Sequence, residues 1–125
     1  MDTESCKKIL VVDDDVAILE MLDEILSYYG YEVNTLSRAE KVFARIGEYH
    51  PDLILMDIML AGMDGRLICK AIKASEETHS IPVILISASE NIGLCMNQDG
   101  APNDFLAKPF DVNFLINKIE HQFAA

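Results

Sequence analysis

Six side chains able to bind a cation or hold an anion each stand just beyond a short apolar run. Asp13, Asp14 and Asp15 follow Ile9-Leu10-Val11-Val12, and Asp57 follows Leu53-Ile54-Leu55-Met56. Ser87 follows Pro82-Val83-Ile84-Leu85-Ile86, and Lys108 follows Phe105-Leu106-Ala107. Gathered carboxylates repel one another, so such a group persists mainly where a hard cation relieves it. Mg²⁺ suits the role because it prefers carboxylate, carbonyl and water oxygens in octahedral array. A single acid beyond a strand is more simply a helix cap, and that reading suits Asp15. It does not account for Asp13, Asp14 and Asp57 together with Lys108, which Pro109 follows at once.

The apolar runs read as strands and the stretches between them as helices. Continuous, β-branched-rich runs are what a strand buried on both faces needs. From Asp15 to Tyr29 the period changes, and Ile18, Leu22, Ile25, Leu26 and Tyr29 share one helical face. Gly30 is placed to end that helix, because a left-handed residue costs glycine little. Tyr31 to Leu36 reads as a second strand. Ser37-Arg38-Ala39-Glu40 has the spacing of a capping box, opening a helix with Ala39, Val42, Phe43 and Ile46 inward. A third helix carries Leu67, Ile68, Ala71 and Ile72 on one face, and a closing helix carries Val112, Leu115, Ile116, Ile119 and Phe123. Between Ser89 and Asn103, Gly93 and the string Asp99-Gly100-Ala101-Pro102 predict a short or mobile fourth helix. Strands separated by helices imply right-handed crossovers and a parallel sheet covered on both sides. In such sheets ligands bind beyond the carboxyl ends of the strands, where all six side chains fall.

Composition narrows the function classes. With 125 residues the chain is expected to form a single domain over 1–125, with its core at about 7–124. Acids outnumber bases 21 to 10, a formal net charge of −11, which predicts no direct contact with nucleic acid because phosphate backbones repel such a surface. No apolar run approaches the ~20 residues of a membrane span, and the polar opening lacks a secretory signal, so a cytoplasmic location without membrane insertion is expected. Cys6, Cys69 and Cys95 have no metal-site or disulfide spacing and read as reduced thiols.

Taken as a set, Ile9-Leu10-Val11-Val12-Asp13-Asp14-Asp15, Asp52-Leu53-Ile54-Leu55-Met56-Asp57-Ile58-Met59, Met63-Asp64-Gly65, Ile86-Ser87-Ala88 and Lys108-Pro109-Phe110 resemble the bacterial response-regulator receiver domain. The resemblance runs through nearly the whole chain in matching order and spacing. It implies a doubly wound, flavodoxin-like α/β fold with a five-stranded parallel sheet ordered 2-1-3-4-5, an order the family is known for. It also implies that Asp57 is the phosphoacceptor of a two-component phosphorelay. Asp13, Asp14, Asp57 and the backbone carbonyl of Met59 would hold Mg²⁺, with Mn²⁺ as the alternative ion. Ser87 and Lys108 would bind phosphoryl oxygens, and Lys108-Pro109 would be a cis bond. Ser87 and Phe105 would form the switch, and the partners would be a sensor histidine kinase or histidine phosphotransfer protein and a downstream target. On this reading the chain catalyses only its own phosphorylation and dephosphorylation. Met59 and Ser89 would flank the mouth of the site, where Met59 can orient no attacking water.

Departures from the pattern are few. Ala61 replaces a common proline, which predicts a less rigid loop from Met59 to Met63, and the segment from Gly100 to Phe105 is one residue longer than usual. Three other readings compete: a receiver fragment of a longer regulator or hybrid kinase, an interaction module that works unphosphorylated, and a Mg²⁺-dependent phosphatase of the haloacid dehalogenase type. The last needs Thr or Val at the fifth position of an Asp-x-Asp-x-x run, where this chain has Ala17.

Overall fold

The computed structural model describes residues 6–88 and 100–124. In chain order the elements are β1 (Lys8–Val12), α1 (Val16–Tyr28), β2 (Glu32–Leu36), a 3-10 turn (Ala39–Lys41) leading into α2 (Val42–Tyr49), β3 (Leu53–Asp57), β4 (Met59–Leu60), β5 (Met63–Asp64), α3 (Gly65–Ala74), β6 (Val83–Ser87), β7 (Asp104–Ala107) and α4 (Val112–Ala124). Five strands form one parallel sheet in the order β2-β1-β3-β6-β7. The small strands β4 and β5 stand apart from it, so this is the expected 2-1-3-4-5 order. Among the described residues, no helix is long and apolar enough to cross a membrane.

The continuous apolar runs explain the layering. Successive side chains of a strand point to opposite faces, so a strand apolar at every position feeds two cores at once. Leu10, Val12, Ile54, Met56, Val83 and Leu85 enter the core that α2 and α3 close with Val42, Ile46, Ile68 and Ile72. Ile9, Val11, Leu53, Leu55, Ile84 and Ile86 enter the opposite core, closed by Leu19, Leu22 and Leu26 of α1 and Leu115, Ile116 and Ile119 of α4. All residues of β3 and β6 are buried. Burying one such side chain stabilises the fold by roughly 1.5–3 kcal/mol. These two strands therefore make a firm platform for the polar side chains at their carboxyl ends.

Several helix-face expectations need correction. In α1 the buried stripe is Leu19-Leu22-Leu26, with Ile18 and Ile25 only partly covered and Tyr29 44% exposed. Tyr29 is the C-cap rather than part of the stripe, and Gly30 follows with φ +94°, as the sequence suggested. The capping box at Ser37 does not form: Arg38 is the N-cap, gives no side-chain cap bond, and instead pairs with Glu40 at 2.9 Å. A 3-10 turn advances the chain by about 120° per residue against 100° for an α-helix. That opening fixes the phase so that Ala39, Val42 and Ile46 are buried while Phe43 is exposed. In α3 the inward face is Ile68, Cys69 and Ile72, leaving Leu67 and Ala71 outside. Val112 at the start of α4 is exposed, whereas Leu115, Ile116 and Ile119 are buried as expected.

The segment from Met59 to Asp64 forms a small hairpin. Met59 pairs with Asp64 and Leu60 with Met63, antiparallel, across a turn of Ala61 and Gly62. Gly62 has φ +76° and Ala61 does not share the positive φ, the pattern of a type II turn, whose third residue needs a conformation that glycine adopts freely. Most of the short helix expected between Ser89 and Asn103 lies outside the described residues, and residues 100–103 are not helical.

Candidate functional site

The carboxyl ends of β1, β3, β6 and β7 bring the predicted residues to one edge of the sheet. Asp13 follows β1, Asp57 ends β3, Ser87 ends β6 and Lys108 follows β7. Register fixes the alignment: Asp57 is level with Ile86, and Ser87 is level with Ala107. Backbone bonds hold the strand ends in place. Asp13 donates its N–H to the Leu36 carbonyl at 3.1 Å, and Lys108 donates to the Ser87 carbonyl at 2.9 Å.

Asp57 is the centre of the arrangement. It is 6% exposed, and each of its oxygens has a donor. Oδ1 accepts from the Met59 N–H at 3.0 Å, and Oδ2 accepts from Lys108 Nζ at 2.9 Å. The same ammonium lies 3.7 Å from Asp13 Oδ2. Burial disfavours the ammonium of Lys108, but Asp57 and then Asp13 outweigh it and raise its pKa. The peptide bond between Lys108 and Pro109 is cis, as the resemblance implied.

Asp13 is buried while Asp14 is exposed. Asp13 Oδ1 accepts from the Asp15 N–H at 2.9 Å, and Asp15 caps α1 by accepting from the Ala17 N–H at 3.0 Å. Burial pushes the Asp13 carboxyl up to about 6; the Asp15 N–H and Lys108 pull it back, and Asp57 adds to the rise. Its other oxygen, Oδ2, is buried and takes part in no hydrogen bond. A buried carboxylate oxygen lacking a donor is costly, and a cation removes that cost. One oxygen each of Asp13, Asp14 and Asp57 lies within 4.8 Å of the others, so these three form a group able to hold a metal ion. The all-oxygen donor set and the unbonded Asp13 oxygen fit a hard divalent cation such as Mg²⁺.

The remaining expected residues are distributed around this centre. Ser87 is 1% exposed, at the same strand ends. Met59 is 74% exposed on β4 at the rim, and Ser89 lies outside the described residues. Phe105 sits on β7, half-buried against the core that α2 and α3 close. One residue that sequence reasoning left without a role is Gly65. A Cβ there would lie 2.3 Å from the carbonyl oxygen of Asp57, and the Gly65 N–H donates to the Ile58 carbonyl at 2.8 Å. The signal was present as Met63-Asp64-Gly65, but only the fold shows that the glycine lets α3 begin against the back of Asp57.

Comparison with known proteins identifies the family and the fold. The family model described as the response regulator receiver domain matches residues 9–120. The chain is 29% identical over 120 residues to the DNA-binding response regulator MtrA of Mycobacterium tuberculosis, covering 95% of this chain and 51% of that protein. It is 36% identical over 113 residues to the response regulator PleD of Caulobacter vibrioides, covering 90% of this chain and 25% of that one. The chain thus spans about half the length of MtrA and less of PleD. Among solved structures, the receiver domain of NtrX from Brucella abortus superimposes with a TM-score of 0.83 at 34% identity, covering 94% of this chain and 98% of that one. A receiver domain of a histidine kinase from Syntrophus aciditrophicus gives 0.86 at 26% identity, covering 95% and 91%. The acids and lysine at the strand ends, the strand order and these matches lead to one conclusion: the chain belongs to the response regulator receiver domain family.

Proposed function

We propose that Asp57 accepts a phosphoryl group from a phosphohistidine on a sensor kinase or phosphotransfer protein. The observation that supports this most directly is the double hold on Asp57, with Met59 N–H on one oxygen and Lys108 Nζ on the other at the floor of a buried acidic site. Phosphoryl transfer needs positioning and charge neutralisation more than covalent help, because the transferring group is loose and anionic. An Asp57 oxygen attacks phosphorus, the phosphorus–nitrogen bond of the donor breaks, and the electron pair leaves with the imidazole. The product is an acyl phosphate on Asp57.

Lys108 is suited to move its ammonium from the Asp57 carboxylate onto an incoming phosphoryl oxygen, which offsets part of the negative charge that arrives. Asp13, Asp14 and Asp57, with the Met59 carbonyl, are the residues that would hold Mg²⁺. When bound, that ion neutralises the charge building up on the transferring oxygens. The Ser87 hydroxyl would donate to a phosphoryl oxygen and so respond to its arrival. Phe105, two residues before Ala107, the β7 residue level with Ser87, is the aromatic whose packing would then change.

Intact-mass spectrometry after incubation with acetyl phosphate tests this reading. One phosphate-sized gain is expected in the native chain with Mg²⁺, and none without Mg²⁺ or in Asp57→Asn. A gain that survives Asp57→Asn would place the acceptor elsewhere and overturn the assignment.

Metal binding has its own signature. Mg²⁺ at ~100 times its dissociation constant is expected to add about 2.7 kcal/mol to stability, seen as a rise in melting temperature. If all three acids crowded one another equally, Asp14→Asn would stabilise the metal-free fold. The burial pattern locates the crowding between Asp13 and Asp57 instead. Asp14→Asn is therefore expected to change metal-free stability by no more than ~0.5 kcal/mol, as surface changes do, while removing most of the Mg²⁺ response. A melting temperature that ignores Mg²⁺ in the native chain would contradict the metal assignment.

A further inference from the structure

Phe105 is held from two sides by a pair of charged residues outside the acidic site. Asp104 Oδ1 accepts the backbone N–H of Phe105 at 2.8 Å and the Lys118 ammonium of α4 at 3.1 Å. That ammonium stands over the Phe105 ring, 5.7 Å from its centroid. One carboxylate oxygen therefore fixes both the backbone of the aromatic and the cation that faces its ring. Both charged side chains are mostly covered, at 31% exposed for Lys118 and 22% for Asp104.

We propose that Lys118, anchored by Asp104, is a positioning residue that keeps the Phe105 ring in its half-buried resting place and thereby restrains the switch. This rests on the reading of Phe105 as the switch aromatic. A cation within about 6 Å of a ring centroid is attracted by the ring quadrupole. If the ring turns away, the Asp104–Lys118 pair can remain, but the cation loses its ring. The contact thus favours one ring position over the other, which is what a restraint on a two-state element requires. An ordinary surface ion pair would have no such preference, because neither partner would touch the moving group.

Lys118→Met retains most of the apolar stem and removes the charge, so it separates the restraint from simple packing. At an exposed site the lost attraction corresponds to a shift of about two- to five-fold in the ratio of ring positions. Phosphoryl uptake from acetyl phosphate, followed by intact mass with Mg²⁺, is expected to quicken by that factor in Lys118→Met. Asp104→Asn is expected to act in the same direction, because it releases the ammonium while still accepting the Phe105 N–H. Lys118→Arg, which keeps a cation over the ring, should retain the native rate. In a Phe105→Leu background, Lys118→Met should have no effect. No acceleration by Lys118→Met, or an equal acceleration in the Phe105→Leu background, overturns the proposal.

If the native chain itself takes up no phosphoryl group, the phosphoacceptor reading fails. The restraint is then decided by fluorine NMR of 4-fluorophenylalanine at position 105. A two- to five-fold change in the ratio of ring positions between native and Lys118→Met supports it, and an unchanged ratio overturns it.

Discussion

Gly65→Ala is expected to destabilise the domain by about 3 kcal/mol and to slow phosphoryl uptake by about 100-fold. The added methyl would sit 2.3 Å from the Asp57 carbonyl oxygen and 2.9 Å from the Ile58 Cα. Both contacts are with backbone, so no side-chain rotation relieves them, and α3 must back away from the end of β3. The hydrogen bond from Gly65 N–H to the Ile58 carbonyl is lost or stretched in the same movement. Asp57 shares that stretch of backbone, and a displacement of about 1 Å is enough to cost two orders of magnitude in a reaction governed by positioning. Gly47→Ala supplies the contrast. Gly47 lies inside α2 with nothing within 4 Å of its missing Cβ, so alanine there is expected to stabilise the fold by about 0.5–1 kcal/mol. Urea denaturation of both variants makes the test, and equal midpoints would contradict the close approach at Gly65.

The second large effect is expected at Lys108. Lys108→Met keeps the length of the side chain and removes the ammonium that serves both Asp57 and Asp13. Those carboxylates are only 8% and 2% exposed in their side chains, so their charge cannot be handed to water. Removing one partner from a buried pair costs about 3–5 kcal/mol, and the partial exposure of Lys108 argues for the lower end, about 3 kcal/mol in Mg²⁺-free buffer. Asp13→Asn combined with Lys108→Met should recover part of that loss, since it removes one of the two stranded charges. The double-mutant cycle measures the coupling directly. Additive effects in the cycle would show that Asp13 and Lys108 do not interact.

What the sequence disclosed and what it withheld divide along physical lines. The strands were legible because a chain buried on both faces must be apolar at every position, as Leu53 to Met56 and Val83 to Ile86 are. The strand-end acids and Lys108 were legible because a parallel sheet gathers the carboxyl ends of its strands at one edge. Helix faces were less so. Periodicity gave Phe43 and Leu67 inward places that the 3-10 entry to α2 and the seating of α3 deny them. The unequal burial of Asp13 and Asp14 could not be read from two adjacent identical residues. Gly65, Asp104 and Lys118 were silent because their roles depend on how one element packs against the next, which spacing alone does not give. A glycine's lack of a side chain, or a lysine's reach, has meaning only once the opposing surface is known.

The bond between Lys108 and Asp57 joins the end of β7 to the end of β3, passing over β6, which lies between them in the sheet. Adjacent strands are about 4.8 Å apart, so this tie spans two strand spacings, about 9.6 Å, at the open end of the sheet. It works as a crossbar: an edge strand that has only one neighbour to pair with gains a second attachment at the centre. The crossbar is an ion pair, made by the charges on Lys108 and Asp57, and the edge strand it reaches is the one that carries Phe105.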